Sequence, residues 1–262
     1  MKTKLVLVVG LVMFLLPAMA FAGSACATPT EVPASGGSTD FDFIAAGGKN
    51  FYEVNVKPNR SYSIEVLQDY DDLNTDLTTT VFSDTGCAAP VTLTDTKAAE
   101  PAIPNNGFRG SFITGAAVAN PSYRIQVVHG NAAGTGRYIR VSVAETTLFS
   151  PLYTTFSGFN TFYRVYNTTS QSISGTLTAV GPTGAAAGTP VTLTVAPYSS
   201  SLTIYTGVTV PNADLGLTIS ANNAGPAFFV HNGPPAGILI DGFSSNGTAV
   251  LPIKFVSVRE IR

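Results

Sequence analysis

Four carboxylates and one carboxamide fall within eight residues in Asp69-Tyr70-Asp71-Asp72-Leu73-Asn74-Thr75-Asp76. Hard oxygen ligands of this kind suit calcium, which takes about six to eight of them, and a divalent ion would relieve the repulsion between the carboxylates. The spacing departs from the EF-hand loop, because no Gly occupies the sixth position and no Glu the twelfth. The expectation is a calcium site at Asp69, Asp71, Asp72 and Asp76; the competing reading is a solvated polar turn between two strands. No other metal or cofactor is expected.

The remaining reactive residues are sparse. His129 and His231 are the two histidines, and a zinc site would need further His or Cys ligands at suitable spacing. A Ser-His-Asp hydrolase can be assembled on paper from His231, Asp241 and any of many serines, yet no Gly-x-Ser-x-Gly elbow is present. The Gly181 to Gly188 stretch contains no lysine and precedes a strand rather than a helix, which removes the phosphate-loop reading. The expectation is therefore a protein without enzymatic activity. The two cysteines, Cys26 and Cys87, are expected to pair with each other, since exported proteins oxidise their thiols. A second cluster is aromatic: Phe149, Tyr153, Phe156, Phe159, Phe162, Tyr163 and Tyr166 crowd one stretch. Exposed rings on a β-protein stack on sugars or anchor a partner, so Tyr153, Phe156 and Phe159 are candidate ligand contacts; the alternative is that such rings fill a core or a seam.

Compartment follows from the first 22 residues. Lys2 and Lys4 precede an apolar run from Leu5 to Leu16, too short to span a bilayer comfortably, and Ala20-Phe21-Ala22 is a small-x-small cleavage site. This is the pattern of a cleaved signal peptide over 1–22, so the mature chain is expected to be secreted or held at the cell surface. A lipid on Cys26 is the weaker alternative, because Gly23 stands where a lipoprotein box wants Leu. Downstream no segment reaches the roughly 20 unbroken apolar residues of a membrane helix. An outer-membrane barrel is disfavoured by Pro-rich interstrand segments and the absence of Trp.

Charge says more once divided along the chain. Charged residues make up 11% of the sequence, against 45% hydrophobic, too few for a coiled coil and too apolar a balance for disorder. Removing Lys2 and Lys4 leaves 12 basic against 16 acidic residues, which argues against nucleic acid as a partner. Residues 151–262 contain only Asp214, Asp241 and Glu260 against Arg164, Lys254, Arg259 and Arg262. Their solvent face must be built from Thr, Ser, Asn and Gly, which favours strands without ionising.

Strand signals recur about every ten residues, and no helical stripe appears after the leader. Tyr52, Val54 and Val56 share one face of Phe51–Val56; Tyr62, Ile64 and Val66 share one face of Ser61–Val66. The intervening Lys57-Pro58-Asn59 reads as a turn, so these two segments are expected to form an antiparallel hairpin. Further strands are expected at 77–82, 107–113, 123–128 and 138–143. A break in Ala144-Glu145-Thr146-Thr147-Leu148-Phe149-Ser150-Pro151 precedes a second series over 159–166, 173–180, 190–195, 201–205, 215–220, 227–231, 237–241 and 250–258. The fold class is all-β, with two antiparallel β-sandwich domains of jelly-roll or immunoglobulin-like kind, over 23–146 and 147–262.

The segments Phe51–Val56 and Ser61–Val66, the Asp-rich Asp71–Leu77, and Tyr123–Val127 followed by Gly136–Val141 carry a resemblance. Over residues 40–145 the chain resembles the bacterial pre-peptidase C-terminal domain, a small β-sandwich appended to secreted proteases and other exported proteins. The second domain resembles modules of uncharacterised secreted bacterial proteins, through Phe162–Thr169 and His231–Gly237. The resemblance implies an exported bacterial protein. The functional expectation is non-enzymatic binding or adhesion toward an extracellular polysaccharide or protein. The alternatives are a self-associating structural envelope component, through exposed strand edges, and an accessory module for a separately encoded secreted hydrolase.

Overall fold

The computed structural model describes residues 23–68, 77–98, 106–206, 216–219 and 222–257. Among these the regular structure is almost entirely strand, with no α-helix and one 3-10 turn at Phe156–Gly158. No helix among the described residues is long and apolar enough to cross a membrane.

The strands up to residue 145 are β1 (Thr30–Glu31), β2 (Ser35–Ser38), β3 (Asp42–Ile44), β4 (Lys49–Asn55), β5 (Ser61–Gln68), β6 (Leu77–Phe82), β7 (Pro90–Val91), β8 (Thr94–Ala98), β9 (Asn106–Ile113), β10 (Ser122–His129) and β11 (Arg137–Glu145). They form one sheet in the order β1-β4-β10-β6-β7 and another in the order β2-β11-β5-β9-β8, with β3 also paired to β11. Beyond them come β12 (Leu148–Thr154), β13 (Asn160–Asn167), β14 (Ile173–Ala179), β15 (Val191–Val195), β16 (Ser200–Thr206), β17 (Gly216–Thr218), β18 (Ala224–His231), β19 (Ile238–Ser245), β20 (Val250–Lys254) and β21 (Val256–Ser257). These form sheets ordered β15-β14-β18-β12-β21 and β17-β16-β13-β19-β20. Each sheet thus draws its strands from one side of Thr146-Thr147. Pairing is antiparallel throughout except for the short parallel contacts of β1 with β4 and β17 with β16.

One expectation is corrected here. Segments 51–56 and 61–66 are both strands with the inward faces expected, but they are not hairpin partners. β4 lies between β1 and β10, whereas β5 lies between β11 and β9 in the other sheet. Tyr52, Val54 and Val56 therefore meet Tyr62, Ile64 and Val66 in one buried cluster instead of side by side. Alternation reports which face is apolar, and that face looks the same for a neighbour in the sheet and for a neighbour across the core. Thr114 holds the crossing: its hydroxyl donates to Lys57 O at 2.6 Å and accepts the Arg60 N–H at 2.9 Å.

Within that cluster Phe112 stacks between Tyr62 and Tyr123, with ring centroids 5.2 and 5.8 Å away. Burial pushes the Tyr62 phenol up to about 12, and its oxygen accepts the Lys57 N–H at 2.8 Å, so the one polar atom of a buried ring is satisfied. A second cluster gathers Tyr153, Tyr163, Phe229 and aliphatic residues of β14, β15 and β19. Tyr163 packs edge-on against Phe255 at 4.8 Å, and its hydroxyl donates to Leu152 O at 3.0 Å.

Between the two sets of sheets the chain is pinned by hydroxyls. The Thr147 hydroxyl accepts the Ser61 N–H at 2.9 Å, the Thr146 hydroxyl donates to Ser61 Oγ at 2.9 Å, and the His231 N–H reaches the same Oγ at 3.4 Å.

Candidate functional site

The expected calcium ligands Asp69, Asp71, Asp72 and Asp76 lie outside the described residues. Among the described residues no three His, Cys, Asp or Glu side chains converge as a metal site would require.

Cys26 and Cys87 form a disulfide, and Cys26 therefore carries no free thiol. Its anchorage is local. Asp84 accepts N–H bonds from Ala89 at 2.9 Å, Ala88 at 3.0 Å and Gly86 at 3.2 Å, which hold its carboxyl below the usual range and shape the turn carrying Cys87 at φ 55°. On the other side, Arg124 Nε donates to Cys26 O at 3.3 Å, while its guanidinium pairs with Glu53 at 2.8 Å.

The three aromatic candidates are not brought together. Tyr153 is fully buried, which corrects its expected role as a ligand contact. It pairs across β12 and β18 with Gly225, where a Cβ would sit 2.0 Å from Val180 O, and its hydroxyl donates to Asn223 Oδ1 at 3.1 Å. Phe156 is 49% exposed on the 3-10 turn, and Phe159 is partly buried just beyond it. Phe156 and Phe159 are thus left without the third ring of a platform.

A different group of side chains does converge. Along β13, Thr161, Tyr163 and Val165 point into the core, so Phe162, Arg164 and Tyr166 point outward. The neighbouring β19 presents Leu239, Asp241 and Phe243 on the same side. The register sets Phe162 opposite Phe243, Arg164 opposite Asp241 and Tyr166 opposite Leu239, and β20 adds Lys254 opposite Asp241. The Phe162 and Phe243 rings stack with centroids 4.9 Å apart and planes 22° apart. The Tyr166 hydroxyl donates to Asp241 Oδ2 at 3.4 Å. A shallow depression of about 210 Å³ lies among Phe162, Arg164, Tyr166, Asp241, Gly242 and Phe243. Ring faces beside a guanidinium, a carboxylate and a phenol suit a polyhydroxyl ligand: the rings take apolar C–H faces, Arg164 donates, and Asp241 accepts.

The first set of sheets has an aromatic face of its own, which sequence reasoning missed. Phe41, Phe43 and Tyr138 are 50%, 43% and 50% exposed, comparable with Phe156 at the junction. Phe43 and Tyr138 pair across β3 and β11 and meet edge to face at 5.3 Å, and the Arg140 guanidinium lies 5.5 Å from the Phe41 ring. Gly136 makes room, since a Cβ there would sit 2.1 Å from Phe43 Cζ. The alternation of Phe41 and Phe43 with Asp40 and Asp42 was the available signal. An alternating pair so short does not reveal which side faces water.

The hydrolase reading fails on placement. His231 is buried, its Nδ1 accepts the Gly233 N–H at 3.1 Å, and burial lowers its pKa to about 4. Asp241, by contrast, is exposed on the outward face beside Tyr166. His129 is also buried, with Nε2 accepting from Arg137 Nε at 3.1 Å.

No family model matches the chain, and no curated protein matches it either. Nothing in these comparisons identifies a pre-peptidase C-terminal domain, so that resemblance rests on the strand pattern alone.

Proposed function

We propose that this chain is an exported, non-enzymatic binding or adhesion protein that takes an extracellular polysaccharide on the outward face of β13 and β19. In this reading the two sets of sheets are two β-sandwich domains, the first of pre-peptidase C-terminal-like kind, delivered by the signal peptide over 1–22. The observation that carries the reading is the stacked Phe162–Phe243 pair set beside Arg164, Tyr166 and Asp241. Large rings held on strands lose little side-chain entropy on binding, and the neighbouring charges supply direction.

The test is co-sedimentation or affinity electrophoresis against a panel of neutral and acidic polysaccharides, with Phe162→Ala and Phe243→Ala compared with Phe156→Ala. Losing one ring is expected to weaken retention about tenfold, the effect of roughly 1.4 kcal/mol of lost contact, with Phe156→Ala unchanged. Undiminished retention of the Phe162→Ala, Phe243→Ala double variant would rule this face out. Calcium support at Asp69–Asp76 belongs to the same reading; an identical melting midpoint in millimolar calcium and in chelator would remove it.

Self-association is the second reading, favoured by Val250 and Leu251, which are 65% and 43% exposed on the edge strand β20. Pro252 in the middle of that strand has no N–H to offer an added strand, which opposes assembly at this edge. Light scattering across a concentration series separates the two.

A further inference from the structure

The chain contains three Asn-Gly pairs, Asn106-Gly107, Asn232-Gly233 and Asn246-Gly247, and the structure treats them differently. We propose that Asn246 is a site of spontaneous deamidation, a covalent modification for which the β19–β20 turn supplies the supporting groups. In this reaction the Gly247 backbone nitrogen attacks Asn246 Cγ. The new N–Cγ bond forms as the Cγ–Nδ2 bond breaks, and ammonia leaves with the proton that Gly247 gives up. Water then opens the succinimide at either carbonyl, giving aspartate or isoaspartate.

Three hydrogen bonds are placed to help. The Asn246 Oδ1 accepts the Thr248 N–H at 3.0 Å and the Ala249 N–H at 2.8 Å, so two donors already face the oxygen on which negative charge develops when Cγ is attacked. The Gly247 N–H donates to Ser245 Oγ at 3.1 Å, which gives the departing proton a first acceptor on its way to water. Asn246 and Gly247 are exposed, Gly247 has φ 84°, and nothing lies within 4 Å of the place a Cβ would occupy there, so the five-membered ring has room to close.

In the other two pairs the glycine is buried. Asn232-Gly233 has comparable hydrogen bonds, with the Ser174 N–H on Asn232 Oδ1 at 2.9 Å and the Gly233 N–H on His231 Nδ1 at 3.1 Å, but Gly233 and His231 are buried. A Cβ on Gly233 would sit 2.5 Å from Ile173 Cδ1, so that backbone is packed in. Asn106-Gly107 opens β9, where Asn106 pairs with Leu67 of β5, and a Cβ on Gly107 would sit 2.6 Å from Leu77 Cδ1 and 3.2 Å from Val66 O. Gly107 is buried, so its backbone nitrogen has little room to move. Conversion of Asn246 adds a negative charge at one end of the β13–β19 face, and the isoaspartate form adds a methylene to the backbone of the turn.

The experiment ages the purified full chain at mildly alkaline pH, folded and in urea, and follows each Asn-Gly pair by peptide mapping and isoaspartate labelling. In the folded chain Asn246 is expected to convert at least as fast as in urea, while Asn232 and Asn106 are slowed about tenfold or more by folding. A tenfold or greater slowing of Asn246 on folding, or conversion of Asn232 ahead of it, would overturn the proposal. Ser245→Ala is expected to slow Asn246 only in the folded chain; equal folded rates would overturn the role given to Ser245.

Discussion

The guanidinium carbon of Arg60 lies 4.5 Å from the ring centroid of Phe228, joining the start of β5 to the middle of β18. Arg60 Nε is also 3.2 Å from Glu145 Oε1, without the alignment of a hydrogen bond, and Lys57 approaches the same carboxylate at 3.7 Å. Arg60 and Phe228 line a groove of about 520 Å³ between the two sets of sheets, whose other walls include Ile113, Thr176 and Val230. Arg60→Ala is expected to lower stability by about 1–2 kcal/mol, and a double-mutant cycle with Phe228→Leu should show roughly 0.5–1 kcal/mol of coupling. Urea unfolding checks both; zero coupling would mean that the stacked geometry contributes nothing.

The Cys26–Cys87 bond closes a loop of 61 residues in sequence separation. On the chain-entropy account its removal should cost about 4 kcal/mol. Cys26→Ser with Cys87→Ser, measured by guanidinium unfolding, is expected to shift the midpoint strongly downward. The bonds of Asp84 and of Arg124 to the flanking segments should keep the turn and the N-terminal segment in place.

His231 sets an acid limit. Burial holds its pKa near 4 in the folded chain, against an ordinary value of 6.5. Between those values the unfolded chain binds a proton that the folded chain does not. Its contribution is therefore complete above about pH 6.5 and is lost as pH falls toward 4, by up to about 3 kcal/mol. Melting curves from pH 7 to 4 should show this fall. His231→Asn, which offers an acceptor to the Gly233 N–H without titrating, should flatten it; an equally steep fall in the variant would assign the acid sensitivity elsewhere.

Gly242 sits beneath the proposed binding face. A Cβ there would lie 2.5 Å from Phe162 O and 2.6 Å from Tyr163 Cδ1. Gly242→Ala is expected to destabilise by about 1–3 kcal/mol through overpacking and to disturb β13, lowering both the melting midpoint and polysaccharide retention. Normal stability with normal retention would show that the β13–β19 spacing has slack.

Much of the fold was legible in the chain. The period-two pattern located most of the strands. It identified Tyr52, Val54, Tyr62 and Ile64 as facing inward, where the structure buries them. It did not say that β4 and β5 belong to opposite sheets, because a residue's hydrophobicity carries no address for its neighbour. It also misjudged Tyr153, which is buried in the second cluster and pairs with Gly225, about seventy residues away in sequence.

By itself, the sequence determined the all-β class, the inward faces of 51–56 and 61–66 and the pairing of its two cysteines, because side-chain alternation and thiol chemistry are local or leave no other partner. Tertiary structure alone decided which aromatic rings reach water and which residues meet across strands. Register brings Phe162 to Phe243 and Arg164 to Asp241 over gaps of more than seventy residues, and that choice is made by close packing in the core beneath them.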